Sequence, residues 1–176
     1  MSWEFIQANS DQAKEISDLI NSAYRGESSK KGWTTEADLL GGQRCDVDSI
    51  RGLINNDNAV ILLAENEHSG NIEGCVHLEK DGDKCYLGML TVKPTLQSKG
   101  LGSMIVEEAE AFADFWDCKT IYMTVIGQRT ELITWYEDRG YKNTGEKKPF
   151  PYGDERFGVP KVQDLYFVVL EKTLGQ

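Results

Sequence analysis

One stretch, GMLTVKPTLQSKGLGS at residues 88–103, limits the folds open to this chain more than any other. Met89, Leu90, Thr91 and Val92 form an apolar run of the kind that makes a buried strand. Pro94 ends it, because proline lacks the ladder donor and fixes its own φ. Gln97 to Gly102 then lead into a long apolar-periodic segment that reads as a helix. The order is strand, short loop, glycine-rich entry, helix. A helix start carries unpaired N–H groups and the positive end of a dipole. Gly100 and Gly102 have no Cβ, so an anion can approach that backbone closely. The chemistry on offer is a cradle for a phosphate or pyrophosphate.

Neither common nucleotide signature fits. A dinucleotide fingerprint needs a third glycine at position 105, which is Ile105, and no G-K-[ST] stands at the P-loop offset. The length of 176 residues suits one domain, expected to span 1–176, with a sizeable core. The net charge of -10 argues against nucleic acid as the main partner. It also favours cationic or neutral acceptors over anionic ones. No secretory leader or membrane-spanning run is visible. Cys45, Cys75, Cys85 and Cys118 form no C-x-x-C, so reduced thiols in a cytoplasmic protein are expected. His68 and His77 do not pair with a cysteine at ligand spacing, so no metal site is expected.

Along the chain, residues 3–8 alternate as an edge strand. Ser10 and Asp11 suit a helix cap before Ala13, Ile16, Leu19, Ile20, Ala23 and Tyr24 at helical spacing. Residues 25–46 read as loop around a short helix at 36–40, and Asp46, Asp48 and Ser49 suit the cap of a second short helix. Residues 59–64, 72–79 and 85–92 read as an antiparallel meander. A helix then follows Gly102, with a strand at 119–126 and a helix at 129–139 that Gly140 stops. A strand at 141–146, a loop at 147–161 and a last strand at 165–170 complete the order. The expected class is α/β, one mixed, mostly antiparallel sheet flanked by helices.

The spacing V-x-P-x-x-Q-x-x-G-x-G, carried by Val92, Pro94, Gln97, Gly100 and Gly102, resembles the acetyl-CoA motif of the GNAT N-acetyltransferase superfamily. A second string, ELITWYEDRGY at 131–141, resembles that family's L-Y-E-K-x-G-[FY] helix. The element order is similar to the GNAT fold over nearly the whole chain. The resemblance implies that the strand ending at Val92 splays from the strand at 121–126. The pantetheine arm would lie in that gap against Leu90, Thr91 and Val92. The pyrophosphate would meet Gln97, Ser98, Lys99, Gly100, Leu101, Gly102 and Ser103. Tyr136 falls on the tyrosine that many members use as general acid; its type also suits a core position. Where many relatives carry Asn at the start of that helix, this chain has Arg129.

For a general base the sequence offers Glu79, which shares a strand face with His77, and Glu36 in the early irregular segment; a water relay is the third option. Tyr24, Arg25, Trp33 and Glu36 in the early segment are candidates for holding an acceptor. Phe150, Tyr152, Asp154, Glu155 and Arg156 are the candidates in the late one. The resemblance implies an acetyl-CoA-dependent N-acetyltransferase acting by direct transfer on a primary amine of a small molecule. Two alternatives stay open: a protein or peptide N-acetyltransferase, and a non-catalytic acyl-CoA-binding domain. No nucleic-acid or membrane partner is expected, and assembly is open, a homodimer included.

Overall fold

A computed structural model describes residues 2–154 and 158–175. The elements follow as β1 (Trp3–Gln7), α1 (Ala13–Tyr24), α2 (Gly26–Ser29), β2 (Leu40–Gly41), α3 (Val47–Ile54), β3 (Ala59–Asn66), β4 (Ile72–Asp81) and β5 (Lys84–Val92). After them come α4 (Leu101–Phe115), β6 (Thr120–Ile126), α5 (Thr130–Glu137), β7 (Lys142–Pro149), β8 (Val159–Pro160) and β9 (Tyr166–Thr173). Seven strands form one sheet in the order β1-β3-β4-β5-β6-β9-β7. Every pairing in it is antiparallel except β5 with β6.

Both faces of the sheet centre are buried, which is why AVILLA reads as a continuous apolar run. Ile61 and Leu63 face α1 and α3 with Ile16, Ile20 and Ile50. Val60 and Leu62 belong to the opposite layer, with Leu101, Ile105 and Ala109 of α4. The cap of the first helical segment is Asn9, one residue earlier than expected. Its Oδ1 accepts from Asp11 N–H at 3.0 Å and its own N–H donates to Gln12 Oε1 at 3.0 Å, because a 3-10 turn precedes α1. Asp46 caps α3 as expected, accepting from Ser49 N–H at 2.7 Å.

The expected helix at 36–40 is a correction. Only one turn forms there, with Leu39 and Leu40 N–H donating to the Glu36 carbonyl. Leu40 then pairs with Pro160 in a two-stranded ladder that draws the chain out of helix. The nearby helical turn is α2. The segment at 147–161 is likewise not all loop, since β7 runs to Pro149 and β8 pairs with β2.

The functional geometry begins where β5 and β6 part. They pair only through Lys84–Thr120, Cys85–Ile121 and Tyr86–Tyr122. Beyond that point β5 carries a register shift against β4, and Met89 stands at φ 50°, left-handed for a non-glycine residue. Such an irregularity bends a strand and increases its twist. β5 therefore leans away from β6 and leaves a V-shaped opening, as the resemblance implied.

His77 lies beside that irregularity with 7% of its surface exposed. Its Nε2 makes no hydrogen bond among the described residues, and Glu79 Oε1 stands 3.5 Å away. Burial holds the imidazole below the usual histidine range, with Glu79 opposing the shift. The unfolded chain therefore takes the proton first as pH falls through about 6.5. Stability to urea should fall between pH 7.5 and 5.5, and His77→Gln should flatten that part of the profile. An identical slope in the variant would remove His77 as the cause.

Candidate active site

The glycine-rich entry becomes a formed cradle. Ser98 and Gly100 adopt positive φ, 66° and 87°, turning the chain abruptly into α4. The first helical bond runs from Met104 N–H to the Gly100 carbonyl at 3.2 Å. The N–H groups of the preceding turn have no acceptor within the helix. A Cβ at Gly100 would project into open space, and one at Gly102 would meet the Trp135 ring at 3.2 Å. The cradle opens on a cavity of about 360 Å³ between the end of β5, the start of α4, α5 and residues 33–34. These residues fit a pyrophosphate-bearing substrate, because bare backbone donors meet an open, uncluttered approach.

Of the residues expected to hold the coenzyme, Leu90, Thr91, Val92, Gln97, Ser98, Gly100, Gly102 and Ser103 line this cavity. Lys99 is exposed and Leu101 is buried in the core; neither lines it. Gln97 works as a clasp, donating from Nε2 to the Val92 carbonyl at 3.1 Å and accepting the Trp33 N–H at 2.9 Å. Arg139 was missed in the sequence. Its guanidinium lies 3.6 Å from the Trp135 ring centre and donates to Ser103 Oγ at 2.6 Å, putting a fixed cation beside the cradle.

A second cavity of about 290 Å³ fills the opening between β5 and β6. Tyr24, Leu90, Arg129, Leu132 and Tyr136 line both cavities, so the two spaces share a wall. Tyr24 Oη donates to the Leu90 carbonyl at 2.9 Å, which occupies one backbone group expected to face the pantetheine arm. Burial pushes the Tyr24 phenol up to about 12, against the charges of Arg44 and Arg129. Tyr136 is 4% exposed, its ring set edge-on to Trp135 and Tyr141. Burial raises its phenol above the ordinary tyrosine value, with Tyr24 adding to the shift, so its proton is held at neutral pH. Among the described residues its hydroxyl makes no hydrogen bond.

Glu36 is buried between two guanidiniums. Its Oε1 accepts from Arg25 Nε at 3.0 Å and its Oε2 from Arg129 at 3.0 Å. Arg129 also donates to Thr34 Oγ1 at 2.9 Å. This cluster ties the start of α5 to the early segment, across 93 residues of sequence. Removing one member of a buried charge set leaves the rest uncompensated. Glu36→Ala should therefore cost about 3–5 kcal/mol, read as a drop in the denaturant midpoint. A loss under about 1 kcal/mol would show the cluster to be solvated in solution.

The other candidates scatter. Glu79 lines neither cavity and is partly exposed beside His77. Trp33 lines the first cavity, tilted against Trp135 at 6.5 Å, and not the second one. Tyr152 lines neither; its hydroxyl donates to the Val162 carbonyl and accepts the Leu165 N–H, bracing its own loop. Arg25, Phe150 and Asp154 line the second cavity. Glu155 and Arg156 lie outside the described residues. The four cysteines are free and buried, and burial raises every thiol, Cys75 and Cys85 to about 12. Among the described residues no cluster suited to a metal occurs, and no helix is long and apolar enough to cross a membrane.

Comparison with the curated proteins gives no match. Solved structures do share the fold. A chimera of the spermidine N-acetyltransferase SpeG from Vibrio cholerae and hSSAT is 14% identical, covers 98% of this chain and 96% of its own, and has a TM-score of 0.70. The ribosomal-protein-S18-alanine N-acetyltransferase from Escherichia coli is 11% identical over 99% and 95% of the two chains, with a TM-score of 0.69. An acetyltransferase structure from Bacillus anthracis in complex with acetyl coenzyme A is 18% identical over 70% and 67%, with a TM-score of 0.57. At these identities the likeness is one of fold. The model of the Acetyltransferase (GNAT) family matches residues 14–141. With cradle, splayed strands and family match in agreement, the chain belongs to the GNAT acetyltransferase family.

Proposed function

We propose that residues 1–176 act as one domain that moves an acetyl group from acetyl-CoA to the primary amine of a small molecule, by direct transfer. The observation that carries this reading is the wall shared by the two cavities, both of which Leu90 and Tyr136 line. The α4 cradle and Arg139 hold the pyrophosphate, and the thioester lies where β5 and β6 part. The amine nitrogen enters from the second cavity and attacks the carbonyl carbon. A backbone N–H of the bent strand supports the oxyanion. The C–S bond then breaks, and Tyr136 Oη gives its proton to the departing sulfur. Both Glu36 oxygens are held by guanidiniums, so the amine proton leaves to water, and a proton from water restores the Tyr136 phenol.

A cavity of about 290 Å³ suits a small acceptor better than a polypeptide, which needs an open groove. In this reading the protein works in the cytoplasm, where buried thiols remain reduced. The test is a panel of free amines and N-terminal peptides with acetyl-CoA, scored by thiol release. Turnover of free amines is expected. Turnover of peptides alone would replace the reading by the protein-directed one, and binding without any release would leave a coenzyme-binding domain.

A further inference from the structure

The second cavity contradicts the charge of the chain that contains it. The whole sequence carries a net charge of -10, yet three arginines, Arg25, Arg44 and Arg129, line this space against two described carboxylates, Glu36 and Asp154. Surface charge beyond about 10 Å is screened at ordinary salt, so the local set governs what enters. Arg25 and Arg129 share Glu36. Arg44 is different. Among the described residues its half-buried guanidinium has no carboxylate and no hydrogen-bond acceptor, and it sits 5.5 Å from the Tyr24 ring centre. Arg129 approaches the same ring at 5.8 Å.

Arg44 is also held in place. The N–H groups of Arg44 and Cys45 both donate to Asn21 Oδ1, at 2.7 and 3.0 Å, and Asn21 Nδ2 donates back to the Cys45 carbonyl at 2.9 Å. The backbone is clamped to α1, and the side chain extends over Tyr24 along the cavity wall. A second feature points the same way. Arg129, 6% exposed, keeps a buried Nε without an acceptor among the described residues, so the described wall of the cavity holds more donor capacity than acceptor capacity. A fixed, partly desolvated cation at a cavity wall is completed by an anion from outside. A diamine or polyamine would instead meet like charge.

We propose that the acceptor is an amine bearing an anionic group, a carboxylate being the simplest, and that Arg44 receives that group while the amine faces Tyr136 and the thioester. The proposal rests on the acetyl-transfer reading and narrows its substrate class; it also reverses the acceptor preference expected from overall charge.

The test offers the full chain saturating acetyl-CoA with L-methionine, L-phenylalanine and L-glutamate, each beside its α-carboxamide, and with putrescine. Each acid should exceed its amide in kcat/KM by about 10- to 100-fold, the worth of a charge-assisted contact. In Arg44→Gln that ratio should fall toward one, through KM more than kcat, and Arg44→Lys should restore part of it. Amides or putrescine turning over as well as the acids, or a ratio unchanged in Arg44→Gln, would overturn the proposal and leave acetyl transfer intact. If no amine releases thiol although acetyl-CoA binds, the acetyl-transfer reading fails. The anion site is then judged by calorimetry of the same acids on the chain–CoA complex. Binding weakened about tenfold in Arg44→Gln supports the site, and absence of binding to the unmutated chain overturns it.

Discussion

Tyr136→Phe should lower kcat by roughly 10²–10⁴-fold, the span usual for a positioned general acid. The substitution deletes one hydroxyl and keeps the ring, whose edge-on contacts with Trp135 and Tyr141 hold it in place. No hydrogen bond of the hydroxyl is lost among the described residues, so little destabilisation follows. What is lost, on the proposed mechanism, is the proton given to the departing thiolate. That interaction matters chiefly in the transition state, so acetyl-CoA affinity should change far less than kcat. Steady-state kinetics and direct binding on one preparation separate the cases. Unchanged kcat, under conditions where chemistry limits the rate, would make Tyr136 a packing residue. Weaker coenzyme binding with normal kcat would make it a ligand.

Gly102→Glu should weaken acetyl-CoA binding by roughly 10²-fold or more, about 2.8 kcal/mol. Two effects add. A Cβ at this position would crowd the Trp135 ring at 3.2 Å, and that ring carries Arg139. The carboxylate then brings negative charge to a helix start that attracts anions. Gly100→Glu should do the same by another route, because its φ of 87° disfavours any side chain and its Cβ direction opens into the space a ligand needs. Calorimetry on variants with native circular dichroism decides. Unchanged affinity in both would place the pyrophosphate elsewhere.

Some of this was legible in residues alone. The 88–103 stretch carries its meaning locally: proline ends the strand, glycines open the helix, and the spacing matches a family motif. The buried runs at 59–64 and 72–79 could be read because a central sheet needs apolar residues on both faces. The acceptor side could not. Glu36 looked like a free carboxylate, and its two arginine partners lie 11 and 93 residues away, with no periodicity to announce them. Arg44 looked like one charge in an acidic chain. Its role depends on Asn21 holding the backbone and on Tyr24 lying beneath it. Tyr152 looked like a candidate for holding the acceptor, yet its hydroxyl is spent within its own loop. The helix expected at 36–40 failed because Leu40 joins a ladder with Pro160, a pairing that local propensity cannot see.

The central claim is that coenzyme and amine occupy the two cavities at once and react across the wall they share. Initial rates of thiol release, measured while acetyl-CoA and a productive amine are both varied, test it most directly. Direct transfer predicts reciprocal plots that intersect, with N-acetylated amine and free coenzyme A formed in equal amounts. Parallel lines, with an acetylated protein isolated before amine is added, would contradict it.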